Sequence, residues 1–220
     1  MIAFLFDNVF KHGNRREKKI SLTFDDGPHP QCTPEILEVL KSLEVKATFF
    51  MVGTNVRKHP VLSRKIAEEG HEIGAHSFWH RRMLFLSRGE VESEIDFAFE
   101  VIGDITGRRI KLFRPPFGIH GYLLPKILKE KGAKLILWDV NPKDWKIKDS
   151  ETISANVIRK VKGGSIVLFH DGNFSDVNVD YSHTVRALGR IIPALKKRGL
   201  SPVTVSELLT LSSFRCLPMP

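Results

Sequence analysis

The sequence predicts an α/β protein with a parallel sheet in a single domain. Short β-branched or apolar runs alternate with amphipathic helical patterns along the chain, which is the arrangement of repeated β-α units. The 220 residues contain no internal repeat and no low-complexity tract, and this length fits one domain. The pattern alone is compatible with an open doubly wound sheet and with a small, irregular (β/α) barrel.

The predicted strands and helices alternate in order. Seven segments have the composition of strands: 20–24, 45–52, 71–75, 110–113, 134–140, 165–169 and 202–205. In the first helix Thr33 is the expected N-cap and Pro34 the first helical residue. In the third helix Ser87 and Glu90 fit a capping box, and Gly107 fits a C-terminal stop. Six helices are expected, at about 33–43, 60–70, 87–107, 123–131, 151–161 and 184–198.

The chain is basic, with 34 lysine and arginine residues against 25 acidic residues and a net charge of +9. Such a balance suits polyanionic partners, but bases and acids interleave in segments such as 64–69 and 126–131, which is typical of solvated helix faces. No run approaches the ~20 apolar residues of a membrane-spanning helix. The N-terminus lacks the basic region of a signal peptide. We therefore expect a cytoplasmic protein by default, with action at the cell envelope left open.

Polar residues follow the predicted strands, beginning with Asp25 and Asp26. These two carboxylates share one site only if the strand ends there, and the following Gly27 and Pro28 supply a turn. Two adjacent carboxylates repel unless a cation or a proton intervenes, which favours a metal ligand beside a general base. The alternative is a turn with solvated acids.

His76 and His80 follow the third strand at a spacing of four residues. This spacing places both imidazoles on one face of a helical turn, where they can bind one cation together. With Asp26 they form a three-ligand set that leaves positions open for water and substrate, as in catalytic divalent-metal sites. The alternative is a coincidental spacing.

Arg114, two prolines and Phe117 follow the fourth strand. The prolines fix a rigid turn, which leaves the Phe117 N–H free to face a developing oxyanion. Arg114 can pair with a carboxylate and keep it ionised. The alternative is a rigid loop with an exposed arginine.

His170 ends the buried run 166–169 and suits general acid or base catalysis, with Asp144 orienting its ring. The alternative is a core-edge histidine that is satisfied by hydrogen bonds. The polar segment 173–183 is either a substrate-facing loop or a plain surface excursion. Six other histidines lack such partners and are expected to be surface or structural residues: His12, His29, His59, His71, His120 and His183.

In this order the motifs resemble the polysaccharide deacetylase family, also called NodB-homology enzymes or carbohydrate esterase family four, over about residues 20–209. The resemblance implies a single-domain distorted (β/α) barrel of about seven parallel strands. It also implies metal-dependent removal of acetyl groups from N-acetylated sugars in peptidoglycan, chitin or chitooligosaccharides. The catalytic domain would span 20–210, between an N-terminal extension at 1–19 and a C-terminal tail at 211–220.

The resemblance also implies roles for individual residues. Asp25 would be the general base, positioned by Arg114, and His170 the catalytic histidine, oriented by Asp144. Phe117 stands where the family usually has tyrosine, but its contribution is a backbone N–H. The implied ligands of a divalent ion, commonly zinc and in some members cobalt or nickel, are Asp26, His76 and His80.

Trp145 would line the acetyl pocket. Two departures concern this region: Asn141 replaces a common aspartate, and Val167 replaces a leucine that usually walls the pocket. Substrate preference is therefore less well defined by the resemblance than catalytic competence.

Other classes of function account for these residues less well. A phosphohydrolase normally has a glycine-rich phosphate loop, which the sequence lacks. A non-catalytic glycan- or polyanion-binding protein has no need for the acid–base set, and an acetyl esterase acting on O-acetylated glycans is a further alternative. We expect an N-acetylated glycan as the partner, no nucleic acid, no membrane span and a monomeric chain.

Overall fold

A computed structural model describes residues 8–174 and 178–210 of the chain. Its strands are β1 (Val9–Phe10), β2 (Lys19–Asp25), β3 (Thr48–Met51), β4 (Glu72–Ala75), β5 (Leu112–Phe113), β6 (Lys134–Ile136), β7 (Ile166–His170) and β8 (Ser201–Pro202). Its helices are α1 (Cys32–Ser42), α2 (Gly53–Lys58), α3 (Pro60–Glu68), α4 (Arg88–Thr106), α5 (Leu123–Glu130), α6 (Ser150–Lys160), α7 (Ser182–Lys197) and α8 (Val205–Leu208), with short 3₁₀ turns at Met83–Phe85 and Pro116–Gly118.

The strands form one parallel sheet in the order β1-β6-β5-β4-β3-β2-β7, and β8 pairs with β2. After β6 the chain crosses to β7, where Val140 pairs with Val167. This bridge curls the sheet towards closure and confirms the expected single-domain, distorted (β/α) barrel. Within the described part of the chain, no helix is both long and apolar enough to cross a membrane.

The two faces of the sheet pack against different partners because side chains alternate along each strand. In β2, Leu22 and Phe24 belong to the large core between the sheet and the helices. A smaller cluster packs on the other face and includes two residues of α8: Phe50, Leu112, Ile136, Ile166, Val205 and Leu208. The backbone N–H of Val205 donates to Thr48 Oγ1 at 2.9 Å, which fixes α8 against β3.

Several element boundaries differ from the predictions. Helix α1 begins at Cys32 with Gln31 as its N-cap, so Thr33 is not the cap; its hydroxyl instead accepts the His29 N–H at 2.8 Å. The predicted last strand reaches 205, but Val205 begins α8 after the Thr204 cap. The sequence analysis also missed α2 and β1, and β1 joins the sheet beside β6. The Ser87 capping box and the left-handed Gly107 stop of α4 are confirmed.

Candidate active site

Strand β2 ends in two adjacent aspartates that approach the same imidazole. Asp25 is the last residue of β2 and is buried. Asp26 has a left-handed φ of 72°, which breaks the strand alternation and lets both carboxylates approach one site. Nε2 of His76 lies 3.9 Å from Asp25 Oδ2 and 3.3 Å from Asp26 Oδ1. The side-chain amide of Asn55 donates to the Asp26 carbonyl at 2.8 Å and holds this turn.

Arg114 is wholly buried and donates hydrogen bonds to four acceptors. One terminal nitrogen donates to Asp25 Oδ1 at 2.7 Å and to Thr23 Oγ1 at 2.8 Å. The other nitrogens donate to the carbonyls of Ile136 and Leu137, each at 3.2 Å. Burial lowers the pKa of Arg114, and the Asp25 carboxylate opposes that shift. The buried cation is therefore paired and hydrogen bonded, as a buried charge has to be.

His76 and His80 meet through a loop and not on a helical turn. Ser77 and His80 have φ values of 62° and 58°, which an α-helix does not allow. The expectation of a helical turn is therefore wrong, although the two ring centroids lie only 5.0 Å apart. The His80 N–H donates to Ser77 Oγ at 2.9 Å and stabilises the tight loop.

Glu94 of α4 supports this loop and was missed by the sequence analysis. It is wholly buried, and Oε2 accepts the backbone N–H groups of Phe78 at 2.9 Å and of Trp79 at 3.0 Å. It lies three residues after Val91 and four before Ala98, on the apolar stripe of α4. The signal that could have revealed this role is an acidic residue on the apolar face of a helix, because a buried carboxylate needs hydrogen-bond donors.

Asp26, His76 and His80 offer three ligand atoms that lie within 4.8 Å of one another. Asp26 Oδ1 lies 3.3 Å from His76 Nε2 and 3.1 Å from His80 Nε2, close to the ~3.4 Å between two ligands of a tetrahedral ion bound at about 2.0–2.2 Å. The Nδ1–H of His76 donates to the Arg114 carbonyl at 2.7 Å, so Nε2 carries the lone pair. A lone pair that faces a carboxylate oxygen is favourable when a cation lies between them, so these residues fit a divalent metal.

Asp144 and His170 form a second buried acid–base pair. Asp144 Oδ1 accepts the His170 Nδ1–H at 2.8 Å, and Oδ2 accepts the His170 backbone N–H at 2.9 Å. The hydroxyl of Thr184 also donates to Oδ2, at 3.1 Å. The carboxylate therefore fixes the ring orientation and leaves Nε2 of His170 free for another partner.

The two pairs lie on neighbouring strands. Asp25 and His170 are Cα partners in the β2–β7 pairing. Burial alone would lower the pKa of His170, but the Asp144 carboxylate, together with Asp26 and Asp25, raises it to about 9. For Asp26, burial would raise the pKa, but the adjacent imidazoles of His76 and His80 outweigh it and hold the pKa below its usual range. At neutral pH the site therefore combines a protonated His170 with an ionised Asp26 carboxylate.

Left-handed backbone is concentrated around this site. Of the seven non-glycine residues with positive φ in the described chain, five lie in loops that follow β2, β4, β5 and β6: Asp26, Ser77, His80, Phe117 and Lys143. Such conformations cost on the order of 1–3 kcal/mol each and persist where surrounding contacts fix them. Their clustering indicates loops shaped for function.

Phe117 and Trp145 are partly exposed beside these groups. The Phe117 ring packs edge-on against His80, with centroids 4.9 Å apart. Within residues 8–174 and 178–210, no acceptor is bonded to the Phe117 N–H. The Trp145 N–H donates to Asp144 Oδ1 at 3.1 Å. Asn141 accepts the Lys143 N–H at 2.7 Å and forms a local turn.

Val167 does not reach this site. It is wholly buried in the core between the sheet and the helices, because residues 167 and 170 of a strand point to opposite faces. Leu168 shares the face of His170 and is also buried. The expectation for Val167 is therefore corrected, and Leu168 is the residue of β7 that can adjoin His170.

Two further residues support the site and were not expected to do so. His183, predicted to lack a partner, hydrogen bonds through Nε2 to the Asp144 carbonyl at 2.9 Å. Asp171 is wholly buried, and Oδ2 accepts the Thr33 hydroxyl at 2.6 Å. Its carboxyl group packs against Gly27 so closely that no Cβ fits there. Burial raises the pKa of Asp171 to about 7.

Comparison with known proteins identifies the family. The model of the family described as polysaccharide deacetylase matches residues 12–136. A peptidoglycan-N-acetylglucosamine deacetylase of Bacillus cereus is 40% identical over 195 residues, which cover 88% of this chain and 89% of the relative. A chitooligosaccharide deacetylase of Azorhizobium caulinodans is 33% identical, over 85% of this chain and 92% of the relative. The chain belongs to the polysaccharide deacetylase family, which confirms the resemblance seen in the sequence.

Solved structures agree with this assignment. A peptidoglycan N-acetylglucosamine deacetylase, crystallised with 4-naphthalen-1-yl-N-oxidanyl-benzamide, matches with a TM-score of 0.90 and 33% identity, over 94% of this chain and 95% of that one. A carbohydrate esterase family four pseudoenzyme from Bacillus anthracis matches with a TM-score of 0.85 and 30% identity, over 91% and 68%. Because the family contains a pseudoenzyme, the geometry of the site has to support any statement about activity.

Proposed function

We propose that this chain is a metal-dependent hydrolase that removes N-acetyl groups from N-acetylglucosamine-type sugars of a polysaccharide or oligosaccharide and releases acetate. The observation that carries the proposal is the convergence of three groupings at one edge of the barrel. These are the ligand set of Asp26, His76 and His80, the Asp25–Arg114 pair, and the Asp144–His170 pair. Relatives named as peptidoglycan and chitooligosaccharide deacetylases support the substrate class.

In this proposal Asp26, His76 and His80 hold zinc, with cobalt or nickel as alternatives. When bound, such an ion supplies Lewis acidity at the acyl group. Asp25, held in place by the hydrogen bond from Arg114, accepts the proton of the attacking water. The Phe117 N–H donates a hydrogen bond to the developing oxyanion.

His170 donates its proton to the departing amine in this mechanism. The amide nitrogen is a poor leaving group, so it has to be protonated as it departs, and a residue that already carries a proton can supply it. The raised pKa of His170 keeps this proton in place at neutral pH. Trp145 and Leu168 are proposed to border the acetyl group.

That the chain is a monomer stays a prediction.

The test measures acetate release from a soluble N-acetylglucosamine oligomer and from an O-acetylated glycan, with and without a chelator. We expect chelator-sensitive release from the N-acetylated substrate. His76→Ala and His80→Ala should lose bound metal, measured by elemental analysis, and activity, while the thermal melt stays cooperative. Matched controls are His12→Ala, at an exposed histidine, and His120→Ala, at a half-buried one. Equal metal content in wild type and both ligand variants would contradict the ligand assignment, and release from the O-acetylated glycan alone would favour an esterase.

A further inference from the structure

The excess positive charge of the chain is concentrated in three segments that are far apart in the sequence. Segments 11–19, 159–165 and 196–201 hold eleven lysine and arginine residues and one acid, Glu17, a net charge of +10. The other 198 residues hold 23 basic and 24 acidic residues, a net charge of −1. The interleaving of charges along helices therefore does not describe how charge is distributed over the folded surface.

These three segments, here called the basic corner, are joined directly to one another. The Gly164 N–H donates to the Lys19 carbonyl at 2.7 Å, and the Ser201 N–H donates to the Lys18 carbonyl at 2.7 Å. The Arg198 guanidinium donates to the Val161 carbonyl at 2.8 Å. The charges therefore form one continuous surface and not three separate ones.

Most of the basic side chains in the corner face solvent. Nine of the eleven are exposed, and Arg15 and Lys19 are half-buried. The acidic groups that face the corner are few: Asp139 pairs with Arg15 at 2.8 Å, Glu17 lies 4.0 Å from Lys19, and Glu44 lines a cleft with Lys196. The corner therefore keeps a large positive excess.

Helix dipoles explain only part of this surface. Four of the eleven residues lie in the last turns of α6 and α7, where cations are favoured by the helix carbonyls. The other seven lie outside those turns: Lys11, Arg15, Arg16, Lys18, Lys19, Lys162 and Arg198. A dense group of exposed cations that repel one another points to an anionic partner.

The corner and the candidate active site occupy opposite ends of the barrel. Strand β2 runs from Lys19 in the corner to Asp25 in the site, a span of about 20 Å. A partner bound at the corner therefore does not compete with the acetyl group for the site.

We propose that the basic corner is a docking surface for a polymer that carries closely repeated phosphate groups. Arginine and lysine together suit phosphate oxygens, which the arginine fork binds in pairs. The corner contains no Phe, Tyr or Trp on which nucleic-acid bases stack. The exposed large apolar residues of the described chain lie outside the corner, so it offers no apolar group for insertion into a bilayer. Docking there raises the local concentration of glycan attached to the same polymer.

The test measures binding of linear inorganic polyphosphate to the full chain at several salt concentrations. The corner variant combines Lys18→Gln, Lys162→Gln and Lys197→Gln, and the matched control combines Lys58→Gln, Lys126→Gln and Lys129→Gln, which are exposed elsewhere. We expect the corner variant to bind at least tenfold more weakly, with a slope of log affinity against log salt that is smaller by about two. The control is expected to change less than threefold, because charges beyond about 10 Å are screened at 0.1 M salt.

Several outcomes would overturn the proposal. These are no binding by wild type, equal loss in both variants, polyglutamate binding as tight as polyphosphate, or corner-dependent binding only to phosphatidylglycerol vesicles. Lys11→Gln with Arg16→Gln and Lys160→Gln is a second corner variant for which the same loss is expected. The readout is binding, so it stays interpretable if the chain releases no acetate. Acetate release from a soluble oligomer, where present, should be unchanged in the corner variants.

Discussion

Two buried ion pairs stand on neighbouring strands of the barrel, and they hold their charge in opposite ways. The Asp25–Arg114 pair contains a cation that does not titrate in a protein, with four hydrogen-bond acceptors around it. The Asp144–His170 pair contains a cation whose pKa is raised to about 9. One pair therefore has a permanent charge, and the other can release a proton.

This difference corresponds to the two proton transfers that amide hydrolysis needs. A general base has to accept a proton, and Arg114 positions Asp25 for this through a hydrogen bond at 2.7 Å. A general acid has to carry a proton that it can give up, which an arginine at position 170 could not do. The contrast predicts that variants of the two pairs fail in different ways.

Asp25→Asn should have the largest effect, a loss of turnover on the order of 10³-fold or more. The variant loses the base and also leaves Arg114 without its counter-charge, so the melting temperature should fall. Bound metal should stay at the wild-type level, because Asp25 is not in the proposed ligand set. Elemental analysis and acetate release check this, and Asp26→Asn is the control that should lose metal. A metal-free Asp25→Asn protein would mean that the two aspartates exchange or share roles.

His170→Ala should lose about 10²- to 10⁴-fold activity on an N-acetylated sugar, the range of general acid catalysis. An aryl acetate ester, whose leaving group departs without a proton, should lose far less. Parallel rate measurements on both substrates with the metal-replete variant test this. Equal losses on both substrates would show that His170 is not the acid for the leaving group.

Asp144→Asn should lower the alkaline limit of activity. In wild type, His170 is fully protonated below about pH 6.5, and its pairing with Asp144 then stabilises the fold fully. Both the proton and this stabilisation are lost as pH rises through about 9. Without the Asp144 carboxylate the pKa of His170 should fall towards its ordinary value of about 6.5, since only Asp26 and Asp25 then oppose the effect of burial. A full return to that value lowers the protonated fraction at pH 8 from about nine-tenths to about three-hundredths, so the expected loss of activity is up to about thirtyfold.

The pH profile of kcat/KM checks this prediction for Asp144. Asp104→Asn is an exposed control on α4 that should leave the profile unchanged. An alkaline limit that stays near pH 9 in Asp144→Asn would contradict the role of Asp144 in setting the pKa of His170.

The sequence was most informative where local chemistry determines the structure. The Ser87 box and Gly107 stop depend on residues within one turn, and the parallel barrel follows from the alternation of strands and helices. The short β1 could not be predicted, because two residues carry no periodicity and pair only with β6. The short α8 was not predicted, and its first residue, Val205, was assigned to the preceding strand because it continues an apolar run.

Within the site, the sequence indicated the groups that meet at strand ends but not the contacts that hold them. Glu94, Thr184 and His183 act across 15 to 40 residues of chain, a separation that no local pattern spans. Val167 was misassigned by one position, and a shift of one residue in a strand moves a side chain to the other face. The left-handed loop at His76–His80 was read as helical because spacing alone does not specify backbone handedness.

The smallest expected effect concerns the threonine hydroxyl beside each ion pair. The loss of this hydroxyl should lower the unfolding free energy more at the Asp25–Arg114 pair than at the Asp144–His170 pair. Thr23 accepts from Arg114 at 2.8 Å and donates to the Val167 carbonyl at 2.7 Å, so Thr23→Val removes one hydrogen bond from each of two buried groups and should cost about 1–3 kcal/mol of unfolding free energy. Thr184→Val removes one donor from Asp144, which keeps its bonds from His170, and should cost about 0.5–1.5 kcal/mol.

The pH profile separates the two threonine variants further. Thr184→Val removes a donor that competes with His170 for the Asp144 carboxylate, so the alkaline limit should move slightly upward. Thr23→Val should leave this limit in place. Denaturant unfolding and the kcat/KM profile measure both effects. Thr106→Val, whose hydroxyl donates within its own helix, is the control and should change stability by less than about 0.5 kcal/mol. A larger loss of unfolding free energy in Thr184→Val than in Thr23→Val would contradict the expectation that the Asp25–Arg114 pair depends more on its neighbouring hydroxyl than the Asp144–His170 pair does.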